Sequence, residues 1–89
     1  MPSQQVTIVN RLGLHARASA KFVQTAAGFP CEIKVMRDGA CVNGKSIMGL
    51  MTLAAAKGAT IELQTSGAQE DAALAALVKL IEERFGEPE

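Results

Sequence analysis

Val6 and Ile8 stand two positions apart among polar neighbours, and this spacing predicts a first strand over residues 5–10. Arg11 to Leu14 follow as a short loop. From Ala16 to Ala27 the pattern loosens to a helical period, and Gly28, with Pro30 just beyond, supplies the stop. Cys31, Ile33 and Val35 then alternate with Glu32, Lys34 and Met36 as a half-buried second strand. Asp38-Gly39 suits a two-residue hairpin turn, whose central residues need positive φ, and returns the chain into a shorter strand over residues 40–43. Asn43-Gly44 is the next break. Ser46 offers an N-cap for a short helix from Ile47 to about Ala56, which Lys57-Gly58 ends. Ile61, Leu63 and Thr65 alternate with Glu62 and Gln64 as a fourth strand. After Ser66-Gly67, Glu70 and Asp71 suit the start of a last helix, where Leu74, Leu77, Val78, Ile81 and Phe85 form one apolar stripe.

Each predicted strand has one apolar face, and Thr7, Glu32, Lys34, Glu62 and Gln64 lie on the other. One-sided burial is antiparallel behaviour. The expectation is therefore an α+β open-faced β-sandwich: a four-stranded antiparallel sheet covered on one face by three helices, in the order βαββαβα. Eighty-nine residues are enough for one core, so residues 1–89 read as a single domain. With Asp38-Gly39 as the turn, Cys41 falls opposite Met36 and Cys31 opposite Ser46. The two thiols do not meet, and both are expected to be reduced packing residues.

Formal charge is zero but unevenly spread: residues 1–61 carry seven bases against two acids, and residues 62–89 two bases against seven acids. Such polarity suits a basic working surface for an anionic group, with the acidic last helix kept away from it. Three Phe, no Trp and no Tyr leave little to stack on bases, which argues against nucleic acid. The apolar runs fall short of the roughly 20 residues a membrane span needs, and residues 1–5 have no signal-peptide character, so a cytoplasmic protein without membrane insertion is expected. One His and two Cys ten positions apart form no metal-ligand cluster, and no cofactor is implied.

The one histidine, His15, directly precedes the first helix in Gly13-Leu14-His15-Ala16-Arg17, and no Asp or Glu occurs from Met1 to Cys31. A helix start exposes unpaired N–H groups and the positive end of the macrodipole, so an anion placed there is stabilised by both. Ser, Thr, Asp or Asn usually opens a helix, and a histidine breaking that rule where a phosphate fits is a functional candidate. An attacking imidazole must be neutral, which the dipole favours, and Arg17 can screen a phosphoryl group once attached. By itself a lone histidine is more often a surface or capping residue.

A second segment reverses that preference. Asn10-Arg11-Leu12-Gly13-Leu14-His15-Ala16-Arg17-Ala18-Ser19-Ala20 closely resembles the phosphorylation site of the HPr family, the histidine-containing phosphocarriers of the bacterial phosphoenolpyruvate-dependent sugar phosphotransferase system. Asn43-Gly44-Lys45-Ser46-Ile47-Met48-Gly49-Leu50-Met51 is similar to that family's regulatory serine segment, at the expected distance downstream. Ala18 stands where many members have Pro, and Leu12 where relatives often place a small polar residue.

The resemblance implies a carrier and not a self-sufficient enzyme. It makes His15 the phosphohistidine, attached through Nδ1 and assisted by Arg17; Enzyme I would supply the phosphoryl group, and IIA domains of sugar transporters or regulators would receive it. It makes Ser46 a regulatory phosphoserine for a kinase resembling HPr kinase/phosphorylase, although a serine before an apolar helical run is also an ordinary N-cap. Ala16, Ala20, Lys21, Lys45, Ile47, Met48 and Met51 form the expected partner surface of a monomer. From the helical pattern, Ile47, Leu50, Met51 and Ala54 share one face and are expected in the core, with Met48 pointing elsewhere. Two alternatives stay open: a nitrogen-branch regulatory phosphocarrier, and a module that binds an anionic ligand without covalent chemistry.

Overall fold

In the computed structural model, which describes residues 1–89, the strands are β1 (Ser3–Thr7), β2 (Glu32–Arg37), β3 (Ala40–Asn43) and β4 (Thr60–Ser66). The helices are α1 (Ala16–Ala27), α2 (Ile47–Thr52) and α3 (Glu70–Glu82), and a 3₁₀ turn, Arg84–Gly86, follows α3. The strands form one antiparallel sheet in the order β1-β4-β2-β3. Val6, Ile33, Val35, Ile61 and Leu63 point from its buried face into a core completed by Phe22, Leu50, Leu77, Ile81 and Phe85. Each such side chain contributes roughly 1.5–3 kcal/mol on burial. The open-faced sandwich expected from the alternation is the fold observed.

The hairpin register follows from its turn. Asp38 and Gly39 both have positive φ, 49° and 85°, and β2 pairs with β3 so that Met36 faces Cys41. Both cysteines are free, Cys31 in the core; Cys41 is exposed and so is not the packing residue expected, because it pairs with Met36 on the open face of the sheet while Val42 beside it turns toward the core.

Three boundaries differ from the sequence pattern for tertiary reasons. β1 runs over Ser3–Thr7 and not to residue 10, since β4 starts at Thr60 and its ladder partner is Thr7. Ile8 still bonds the turn beyond, accepting from the Gly58 N–H at 2.8 Å and donating to the Ala59 carbonyl at 2.9 Å. α2 stops at Thr52, short of Ala56: Ala54 takes a left-handed φ of 51°, and the Arg37 guanidinium caps the helix end by donating to the Leu53 carbonyl at 2.8 Å. Phe85 does reach the core, but not along the α3 stripe. Arg84 and Phe85 adopt φ of 58° and 55°, a reversal that folds the ring inward and sends the following residues back across the start of α1.

Candidate functional site

The loop before α1 is pinned from both sides. Asn10 is fully buried, and its Nδ2 donates to the Gly13 carbonyl at 2.8 Å. Gly13 sits at φ +67°, and a Cβ there would lie 2.4 Å from the Ala55 carbonyl oxygen, so only glycine permits the approach. The next residue uses that proximity, the Leu14 N–H donating to the Ala55 carbonyl at 2.9 Å. Ser19 secures the inner side through Oγ, which donates to the Leu14 carbonyl at 3.3 Å. A backbone held on two sides fixes where the next side chain points.

That side chain is His15, the N-cap of α1, in extended conformation and with no side-chain capping bond. No intramolecular acceptor engages the N–H groups of Ala16 and Arg17 in the exposed first turn. The ring is 27% exposed, and its Nε2 lies 2.5 Å from Oε2 of Glu87, itself 12% exposed. Asn10 Nδ2 donates to the other Glu87 oxygen at 3.0 Å. His15, Arg17, Glu87, Arg11, Leu12, Pro88 and Glu89 line a shallow cleft of about 190 Å³. Arg11 pairs with Glu89 at 3.1 Å, whereas the Arg17 guanidinium has no partner within the chain.

Glu87 keeps its charge more readily than an ordinary carboxylate. Burial disfavours the charge, but hydrogen bonds to Asn10 and His15, with the charges of His15 and Lys21, outweigh it and hold the pKa below the usual 4.5. The acidic helix expected to stay away, α3, ends at Glu82, but acidic residues beyond it do reach the site. The reversal at Arg84 and Phe85 carries Glu87 and Glu89 to it, and no local pattern near His15 signals this. Asn10 does supply a hydrogen bond to the histidine loop, and a polar side chain just ahead of the glycine turn is its cue.

The remaining candidates divide by environment. Ser46 caps α2, its Oγ accepting from the Gly49 N–H at 3.0 Å, and is half-buried. Lys21 and Lys45 have their ammonium groups on backbone carbonyls, of Phe85 and Phe29, both at 2.7 Å. Ala16 is exposed and Ala20 half-buried on α1, which packs beside α2. Ile47, Met48 and Met51 are 40, 77 and 43% exposed, and Ala54 is exposed too, so of the face expected in the core only Leu50 is buried. A helix of six residues touches the core along too narrow a stripe to bury the rest. No group of three or more His, Cys, Asp or Glu side chains stands close enough to hold a metal.

The architecture is an open-faced sandwich that presents a histidine at an uncapped helix start. Residues 2–83 match the family described as PTS-HPr, the PTS HPr component phosphorylation site, and the chain belongs to this family of phosphocarrier proteins. It is 57% identical over 90 residues to the phosphocarrier protein HPr of Pseudomonas aeruginosa and 58% identical over 89 residues to that of Neisseria meningitidis serogroup A, covering all of both chains in each comparison. It superimposes on HPr-C-His from Thermoanaerobacter tengcongensis with a TM-score of 0.96 and 46% identity over 100% of both chains. With the phosphocarrier HPr of Bacillus anthracis the TM-score is 0.87 at 40% identity, over 90% of this chain and 95% of the other. No helix is long and apolar enough to cross a membrane.

Proposed function

We propose that His15 is the phosphoacceptor of a cytoplasmic, single-domain carrier that takes a phosphoryl group from phosphorylated Enzyme I and delivers it to IIA domains of sugar transporters or regulators. The observation that carries this reading is a partly exposed imidazole on a hydrogen-bonded loop, beside free helix-start amides and an unpaired Arg17. Phosphoryl transfer needs in-line positioning and charge neutralisation, and here the first is supplied by the pinned loop and the second by Arg17 with the dipole. A helix terminus contributes about 0.3–1 kcal/mol, up to ~2 when partly buried, which leaves the phosphate transferable. A deep well would trap it.

Ser46 is the second site of this reading, a target for a kinase resembling HPr kinase/phosphorylase. Up to two negative charges at the start of α2 are compatible with the helix, so their effect would fall on partners docking beside Met48. The test is incubation with phosphoenolpyruvate and Enzyme I, followed by mass spectrometry. Wild-type chain should gain one acid-labile, base-stable phosphate and His15→Ala none; phosphate on the variant would refute the assignment.

A further inference from the structure

We infer that Glu87 is a positioning residue for phosphoryl transfer: it holds the proton of the neutral His15 ring on Nε2, so that the lone pair stands on Nδ1. This rests on the reading of His15 as the phosphoacceptor. An ionised carboxylate only accepts hydrogen bonds, and a neutral imidazole carries one N–H, so the contact from Glu87 Oε2 to Nε2 selects that nitrogen as the donor. Nδ1 makes no hydrogen bond within the chain. The other charged groups around the cleft are Arg11, Arg17 and Glu89, with Lys21 attached to the carbonyl of Phe85 nearby.

The transfer then needs no proton movement. The Nδ1 lone pair forms the new N–P bond while the bond from phosphorus to the donor breaks, the donor keeping that electron pair. Nε2 keeps its proton throughout, and the carboxylate of Glu87 pairs with the positive charge the ring acquires. On delivery the ring takes back the N–P electron pair and departs as the same neutral Nε2–H imidazole.

The carboxylate is itself oriented by a donor with no freedom to turn. Asn10 Nδ2 spends one hydrogen on the Gly13 carbonyl at 2.8 Å and the other on Glu87 Oε1 at 3.0 Å. In a Glu87→Gln variant the amide oxygen must therefore face Asn10, which turns the amide N–H group toward the ring. That group donates to Nε2 and forces the ring proton onto Nδ1, blocking the nucleophilic nitrogen. Glu87→Ala merely removes the preference. A side chain that only packed the tail would make the near-isosteric Gln the milder change; the geometry makes it the worse one.

The experiment measures ¹⁵N shifts of the His15 ring at a pH where it is neutral, and the phosphorylation rate from phosphoenolpyruvate with Enzyme I, for wild type and both variants. Wild type should show protonated Nε2 and Glu87→Gln protonated Nδ1. Phosphorylation should fall by at least about 10-fold in Glu87→Gln and by less in Glu87→Ala. A Glu87→Gln chain that keeps the wild-type tautomer or rate, or one that outpaces Glu87→Ala, overturns the inference and leaves the carrier reading intact. A wild-type chain that takes up no phosphate overturns the carrier reading, and with it the role of Glu87, even if its ring proton lies on Nε2.

Discussion

Replacing Gly13 by alanine should damage the molecule far more than the addition of one methyl group suggests. The backbone there has φ +67°, a region that costs a residue with a side chain about 1–2 kcal/mol. The new Cβ would also stand 2.4 Å from the Ala55 carbonyl oxygen and 2.9 Å from Ala56 Cα, both backbone atoms that cannot rotate aside. Relief requires the loop to retreat, which stretches the 2.9 Å bond from the Leu14 N–H to that same carbonyl. Leaving a buried backbone group unpaired costs about 1–3 kcal/mol. Together the effects amount to about 2–5 kcal/mol, and at roughly 4–8 °C per kcal/mol for a domain of this size Tm should drop by at least ~8 °C. Gly39→Ala is the matched control, since its φ is +85° but nothing lies within 4 Å of the added carbon. It should lose about 1 kcal/mol. Urea denaturation of the three chains gives the comparison, and phosphorylation of His15 should slow in the Gly13 variant alone. Equal losses at the two glycines, or a loss below about 1 kcal/mol at Gly13, would refute the claim that close approach to Ala55 fixes the loop.

Ser46→Ala removes the acceptor of the Gly49 N–H and should cost about 1 kcal/mol by urea denaturation; an unchanged midpoint would show that the cap carries no stability. Because the pKa of Glu87 is lowered in the fold, its ionised form contributes stability that is complete above the usual 4.5 and lost as pH falls through the folded value. Wild type should accordingly lose its advantage over Glu87→Ala between about pH 5 and pH 3, and denaturation midpoints that stay parallel over that range would contradict this. Met48 is 77% exposed, so Met48→Asp should leave stability within about 0.5 kcal/mol while slowing transfer to IIA domains. Unchanged transfer rates would exclude Met48 from the docking surface.

What could be read from the chain was what neighbouring residues decide among themselves. Alternation at Ile33, Val35, Ile61 and Leu63 reflects which face of a strand is wet, and Asp38-Gly39 dictates its own register. His15 was conspicuous because it breaks a capping preference, and Ser46 because it obeys one. Most departures from the local pattern sit where distant segments impose a conformation or leave an element too short to cover its apolar residues. Ala54 is left-handed where the chain turns toward the loop that carries His15, so α2 ends before its apolar pattern does. Ile47 and Met51 have helical spacing suited to burial but project from a helix too short to cover them. Glu87 reaches His15 across 72 positions of sequence by way of positive φ at Arg84 and Phe85, neither a residue that favours it. Burial of the Phe85 ring offsets that strain, and such a balance is visible only once the core exists.

The pairing of His15 with Glu87 also orders events during synthesis. The histidine is made long before residue 87, and until then the carboxylate is not there to meet it. A chain that stops short of Glu87 therefore presents the imidazole without a carboxylate on Nε2. The ring gains its carboxylate partner only once the segment beyond α3 has folded back onto it through the reversal at Arg84 and Phe85.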